Sequence, residues 1–338
     1  MGERQRPTII TVAARAGVGR TTVSRVINGS ELVSEKARAA VLAAIAELNY
    51  VPNSVARGLK TSRTNSVALV IPESESRLGS EPYFSAVIRG VSTALAETRT
   101  QLQLVLVRDQ AERDQLTQSV AERRVDGVLL VSVHEHDPLP GLLEGMGLPT
   151  VLAGRRSSDE SLSHVHSDNA GGAAAAVDHL LARGRRTVAT ISGPLDMEVA
   201  RSRLQGWRET LEKAGRDATD RLVTSADFTE EGGAAAMRSL LERVPELDAL
   251  FVASDVMAAG ALAELRRQGR GVPDDVAVVG FDDSIIARHT NPPLTTVRQP
   301  VEEIGAMIAQ ILLEEIDDPE RPRRRVTLPT ELVVRESS

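Results

Sequence analysis

The chain has 338 residues, with 40 Lys+Arg against 47 Asp+Glu, a net charge of −7, no cysteine, and one Trp, two Tyr and four Phe. That length is more than one hydrophobic core usually serves, and the lack of cysteine excludes a disulfide scaffold and thiolate chemistry. No apolar run approaches the roughly 18 residues of a membrane helix, and the polar, charged start is unlike a secretory signal, so a cytoplasmic protein without membrane contact is expected.

Charge is unevenly spread. Residues 1–64 hold ten Lys+Arg and four Asp+Glu, a net of +6, and the remainder holds 30 and 43, a net of −13. A small basic head on a large acidic body suits a chain that meets nucleic acid at one end and is repelled at the other. Only Lys36, Lys60 and Lys213 are lysines, so the abundance of arginine carries little and the asymmetry carries the signal.

The first patterned stretch, "TIITVAARAGVGRTTVSRVING" from Thr8 to Gly29, admits two readings. A Walker A loop needs G-x-x-x-x-G-K-[ST], whereas Gly17 and Gly19 are followed by Arg20, Thr21 and Thr22. The dinucleotide pattern fails too, because Thr22 stands at its third glycine. Read as helices, Ile9, Val12, Ala13 and Ala16 share one face, Thr8 is an N-cap, and Gly17 is a left-handed stop. Val23, Val26 and Ile27 mark the inner face of a second helix, which leaves Thr21 and Arg25 pointing outward together. A third helix fits Val33 to Asn49, with Ser34 as its cap and Ala37, Val41, Ile45 and Leu48 inside. Three short helices with a glycine turn make a helix-turn-helix head over residues 1–49; a generic small helical bundle is the lesser alternative on pattern alone, and the basic charge sharpens the choice toward DNA.

Residues 50–64, "YVPNSVARGLKTSRT", lack the apolar periodicity for a helix that is stable alone, and read as a linker. Beyond them the texture alternates. "SVALVIP", "LQLVLVR", "VDGVLLVSV", "TVLAG", "TVATIS", "ALFVAS" and "VAVVGFD" are buried-strand signatures, and helices are expected at 84–99, 170–183, 200–214, 229–243, 255–268 and 301–316. Such alternation predicts doubly wound parallel sheets, and about 270 residues suggests two of them.

"TVAARAGVGRTTVSRVINGS" followed by "VSEKARAAVLAAIAELNYVPNSVARGLKTSRTNSVALVIP" resembles the head and hinge of the LacI/GalR transcriptional regulators, and the likeness runs through the whole chain. The resemblance implies a periplasmic-binding-protein-like core joined by three crossovers. It divides residues 65–338 into an N-subdomain (65–166 and 298–325) and a C-subdomain (167–297 and 326–338). It implies base reading by Arg20, Thr21 and Arg25, and phosphate contacts from Thr8, Thr22, Ser24 and Asn28. Residues 50–64 become a hinge helix formed on DNA by two subunits, with Leu59 wedged into the minor groove beside Asn53, Val55 and Ala56. Thr11 and Gly19 depart from the family, which usually has an acidic residue and a capping serine there.

Ligands of parallel sheets sit beyond the carboxyl ends of the strands. Asp282, Asp255, Arg203 and Asp168 fall there, and so do three of the few aromatics: Tyr83, Phe84 and Phe228. Carboxylates and guanidinium suit vicinal hydroxyls, and rings suit a pyranose face. By position the resemblance assigns effector contacts to Arg203, Asp282, Phe228 and Gln299, with Ser254 as a further one. Gly154 stands where relatives often carry a sugar-gripping aspartate, a role that Arg155 takes in part; Asp283 serves structure and Asp255 caps its helix. A finer likeness, in "GVGRTTVSRVINGS", "EPYFSAVIRGV", "SVHEHDPLP", "ISGPLDM" and "ADFT", is to the cellobiose-responsive branch. That branch represses genes for β-glucoside use and leaves DNA when cellobiose binds. Maltose-type sugars, galactosides and a purine-like corepressor remain open, as does a solute receptor without a DNA role. Catalytic residues, cofactor and metal are not expected: there is no G-x-S-x-G elbow, and "HEH" at 134–136 and "HVH" at 164–166 lack supporting ligands. The expected assembly is a homodimer on operator DNA.

Overall fold

The structure is a computed structural model that describes residues 7–27, 30, 32–50 and 63–338. These fall into two compact units divided between Thr64 and Asn65.

The head is built from α1 (Ile9–Ala16), α2 (Arg20–Ile27) and α3 (Glu35–Glu47). Thr8 caps α1 reciprocally with Thr11: the Thr8 amide donates to Thr11 Oγ1 (2.7 Å) and the Thr11 amide to Thr8 Oγ1 (3.3 Å). A threonine thus serves where a capping box usually has Glu or Gln. Gly17 takes the left-handed φ of 64° and closes α1 onto the carbonyls of Ala13 and Ala14. Ser34 caps α3 through the amide of Ala37. Val12, Val23 and Val41, one from each helix, are fully buried together and form the small core.

The second unit contains two six-stranded sheets. The first is formed by β1 (Ser66–Ile71), β2 (Gln101–Leu106), β3 (Gly127–Val131), β4 (Thr150–Ala153), β5 (Ser163–Ser167) and β11 (Arg325–Leu328), in the order β11-β5-β4-β3-β1-β2 and all parallel. Along β1, Val67, Leu69 and Ile71 face α5 (Pro82–Leu95) and α13 (Val301–Asp317). Ala68 and Val70 face the opposite side, where α6 (Gln110–Ala121) and α7 (Leu139–Gly145) pack. This two-residue alternation, apolar on both faces, is what makes a doubly covered strand read as an uninterrupted hydrophobic run. A short helix, α4 (Glu75–Ser80), follows β1.

The second sheet holds β6 (Val188–Ser192), β7 (Val223–Ser225), β8 (Ala249–Val252), β9 (Ala277–Asp282), β10 (Thr295–Arg298) and β12 (Glu331–Val333), in the order β12-β10-β9-β8-β6-β7, with only β12 antiparallel. Around it lie α8 (Asn169–Ala182), α9 (Glu198–Lys213), α10 (Glu230–Arg243), α11 (Asp255–Arg267) and α12 (Ile285–His289). Trp207 of α9 is fully buried, and its indole N–H donates to the carbonyl of Val188 (3.2 Å). The expected all-α head and doubly wound α/β core are both present.

The chain passes between the sheets three times: after β5, after β10, and between β11 and β12. Three details differ from the sequence reading. The helix expected at 84–99 runs from Pro82 to Leu95, because proline at N1 starts it early. "SHVHS", read only as a histidine pair, is strand β5. Asp255 is not a cap; Ser254 caps α11, its hydroxyl accepting from the amide of Met257 (3.2 Å).

Candidate functional site

On the head, α2 buries Val23 and Val26 and exposes Arg20, Thr21 and Arg25 on its other side, while Thr22 and Ser24 are half-buried. Two guanidiniums and a hydroxyl on one exposed helical face are what major-groove reading requires. Thr8, expected at a phosphate, is exposed with its hydroxyl engaged in the cap. Asn28 and the hinge residues Asn53, Val55, Ala56 and Leu59 lie outside the described residues.

The second unit encloses a cavity of about 60 Å³ at the carboxyl ends of both sheets, lined among others by Tyr83, Phe84, Arg155, Arg203, Phe228, Asp282 and Gln299. These seven expected effector residues come from separate stretches of the chain to one place. Ser254 is the exception: it does not line the cavity, because its hydroxyl is spent on the cap of α11.

At the floor, hydrogen bonds run from the start of one crossover to another. The Ser167 hydroxyl donates to Gln299 Oε1 (2.9 Å), and Gln299 Nε2 donates to Asp282 Oδ1 (2.6 Å). Arg203 lies 3.7 Å from that oxygen and donates from Nε to Asn169 Oδ1 (2.8 Å); Asn169 Nδ2 returns to the carbonyl of Ser167 (3.0 Å). The Arg203 guanidinium also stacks 3.8 Å from the centre of the Phe281 ring and donates to the carbonyl of Ala253. Burial pushes the Asp282 carboxyl up to about 6 against the pull of Arg203. Asp282 (φ 117°) and Phe228 (φ 64°) both hold left-handed backbone, which is costly for side chains of their kind and concentrates at functional sites. Phe228 also needs Gly193, where a Cβ would stand 2.1 Å from its ring.

Neighbouring carboxylates have other work. Asp283 pairs with Arg298 (2.7 Å) and Arg335, the structural role expected of it. Asp255 is fully buried, accepting from Thr296 Oγ1 (2.6 Å) and the amide of Ser284 (2.7 Å); burial and then the charge of Asp282 raise its carboxyl well above its ordinary value. Asp168 caps α8.

The opposite wall is ionic. Arg77 of α4 pairs with Glu73 and with Glu81 (3.0 Å), and its guanidinium lies over the rings of Phe228 and Phe84. Burial pushes Glu81 up to about 7 despite Arg77. His134, from the "HEH" stretch, contacts Asp196 across the cleft mouth (2.7 Å) and stands 3.6 Å from Glu73. Those two carboxylates, Glu73 foremost, raise its imidazole to about 9. His166 of "HVH" lines the cavity, whereas His164 is buried in β5 and bonded to the carbonyl of Leu162.

Sequence reasoning missed Arg77, Glu81, Asn169 and Glu198, all cavity-lining. Charged residues at helix starts usually signal capping, and nothing local marks these as convergent. The cavity-lining acids and arginines balance: Arg77, Arg155 and Arg203 face Glu81, Glu198 and Asp282, a set suited to a neutral, hydroxyl-rich ligand.

Comparison with known proteins identifies the family. Residues 8–53 match the model of bacterial regulatory proteins of the lacI family, and residues 177–338 match a periplasmic binding protein-like domain. The chain is 48% identical over 339 residues to the HTH-type transcriptional regulator CelR of Thermobifida fusca, covering 100% of both chains. A solved structure described as a transcriptional regulator CelR–cellobiose complex aligns with a TM-score of 0.79 at 47% identity, covering 98% of this chain and 100% of the other. The lac repressor dimer bound to operator and the anti-inducer ONPF aligns with a TM-score of 0.87 at 27% identity, covering 98% and 99%. The head, the two-sheet core and a 48% identical full-length relative place the chain in one group: it belongs to the LacI family of bacterial regulatory proteins.

Proposed function

We propose that this protein is a cytoplasmic transcriptional repressor of carbohydrate-use genes. In this reading it binds a pseudo-palindromic operator as a homodimer and is released by a sugar, cellobiose or a related β-glucoside. The observation that carries the effector class is the cleft: its acids and arginines cancel in pairs, and aromatic rings stand among hydrogen-bonding groups. A phosphate or carboxylate ligand would need surplus positive charge, which these pairs do not leave. The 48% identical relative, with a solved cellobiose complex in the same group, favours cellobiose among neutral sugars.

In this reading Arg20, Thr21 and Arg25 read bases, Thr8, Thr22, Ser24 and Asn28 hold phosphates, and Asn53, Val55, Ala56 and Leu59 form the hinge contact in the minor groove. Residues 1–49, 50–64 and 65–338 act as head, hinge and effector core. The chemistry is binding rather than catalysis, with no cofactor or metal. Sugar bound between the lobes shifts a two-state equilibrium and separates the paired hinges. Typical coupling is about 1–3 kcal/mol, or about 5–150-fold in operator affinity.

The test is fluorescence anisotropy on DNA from upstream of the protein's own gene, at fixed salt, with a sugar panel led by cellobiose. Release by cellobiose is expected. Release only by a maltose-type sugar or a galactoside reassigns the effector, and tighter DNA binding with a purine reverses the sign of the switch.

A further inference from the structure

Glu198 opens α9 in the wall of the cleft and is 8% exposed. Its two carboxylate oxygens are used unequally. Oε1 accepts three hydrogen bonds: from Arg155 Nε (3.0 Å), from Arg155 Nη2 (2.7 Å) and from the hydroxyl of Ser202 (2.7 Å). Oε2 is buried and has no hydrogen-bond partner among the described residues. A carboxylate oxygen stripped of water and given nothing in return is costly, and buried polar atoms in folded proteins are almost always paired.

Two features give this unpaired oxygen its specificity. Arg155 follows β4 of the first sheet and Glu198 begins a helix of the second, so the pair spans the cleft, with Ser202 one turn along the same helix. The carboxylate is therefore held from both sides. Next to Arg155, a Cβ built on Gly154 would meet nothing within 4 Å, so there is open space in this part of the wall.

We propose that Glu198 Oε2 accepts a hydroxyl of the effector and is a specificity-determining residue of the site. The inference rests on the sugar reading above and deepens it. A carboxylate here accepts but cannot donate, so it selects a ligand with a hydroxyl at this point. It disfavours a sugar phosphate or uronate, whose negative charge would meet it at short range. The hydroxyl is read by a charge-assisted bond, and losing such a bond inside a closed site costs about tenfold to a hundredfold in affinity.

The experiment is calorimetric titration of the full chain with cellobiose, its monodeoxy derivatives, maltose and lactose, using wild type, Glu198→Gln and Glu198→Asp. Glutamine keeps an oxygen for Arg155 and Ser202 and places a donor where Oε2 stood. Aspartate keeps the charge but retracts the acceptor, and guards against a fold defect peculiar to the amide. The expected result is loss of about tenfold or more for both variants, with thermal melting still cooperative. One monodeoxy sugar should bind wild type more weakly by a similar factor, and bind Glu198→Gln no more weakly than the parent sugar does. Equal binding by wild type and Glu198→Gln overturns the proposal, and so does a uniform loss across every derivative, which marks a merely structural ion pair. A wild type that binds no sugar of the panel overturns the effector reading and this inference together, a result distinct from either.

Discussion

The guanidinium carbon of Arg77 lies 5.0 Å from the centre of the Phe228 ring and 5.9 Å from that of Phe84, so a cation from the first lobe covers an aromatic ring of the second. With Arg77 there, the remaining cavity of about 60 Å³ is far below the roughly 300–1,000 Å³ of ordinary ligand pockets. A pyranose stacking on Phe228 must therefore displace this side chain or find the lobes further apart. Arg77→Ala is expected to tighten cellobiose binding by about threefold to thirtyfold, the range of a cation–π contact given up in the free state. Calorimetry checks this; weaker binding would make Arg77 a sugar contact instead of a resident competitor.

Phe228 keeps its place through a left-handed backbone and the bare face of Gly193. In Gly193→Ala the new methyl would stand 2.1 Å from the ring, so the ring must move. The expected cost is about 1–3 kcal/mol of stability, together with loss of sugar binding while operator binding persists. Thermal melting and anisotropy separate the two effects; unaltered sugar affinity would remove Phe228 from the site.

His134 links the lobes through Asp196, with Glu73 behind it and Arg77 beyond, and its pKa is raised from 6.5 to about 9. A raised imidazole pKa stabilises the folded state fully below 6.5, and that contribution is lost as pH rises through about 9. Glu81, raised from 4.5 to about 7, acts with the same sign in a lower window: its contribution is present below 4.5 and gone above about 7. Melting temperatures of wild type and His134→Gln should therefore converge between pH 7 and pH 10. A constant gap across that range would show that the His134 contacts do not depend on the proton.

Arg25 stands exposed on α2, one turn from Thr21. A bidentate arginine–guanine contact is worth about 1–3 kcal/mol of discrimination. Arg25→Ala is expected to bind operator and scrambled DNA alike, weakly and with steep salt dependence. Competition binding at two salt concentrations measures this, and retained operator preference would move base reading to other residues.

Most of the architecture was legible because its elements carry their own punctuation. β1, β3, β8 and β9 are buried, largely apolar runs, and Thr8, Gly17 and Ser34 announce the ends of the head helices. β5 was hidden because its two histidines look like chemistry rather than sheet, although His164 is buried as deeply as a core residue. α6 was not singled out, since only Leu116 and Val120 of its twelve residues are buried. The site was half visible. Arg203, Asp282 and Gln299 follow from position in a resembled family, but Arg77 and Glu198 acquire meaning only when distant segments converge. Ser254 is engaged in a helix cap, a task that a serine at a strand end serves as readily as it serves a ligand.

The three crossovers also set an order of events during synthesis. The first lobe begins with β1, yet α13 and β11, which complete it, lie beyond residue 300. Until they emerge, Val87 and Val91 of α5 have no Ile304 or Ile308 to cover them. The second lobe is nearly contiguous from β6 to β10 and needs only β12 at its edge. Domains commonly fold from the N-terminus as the chain emerges. In this core neither lobe closes by itself: the lobe that leaves the ribosome first waits, its apolar helix face uncovered, on nearly the whole of its neighbour, and the neighbour receives its edge strand β12 only after β11 has completed the first.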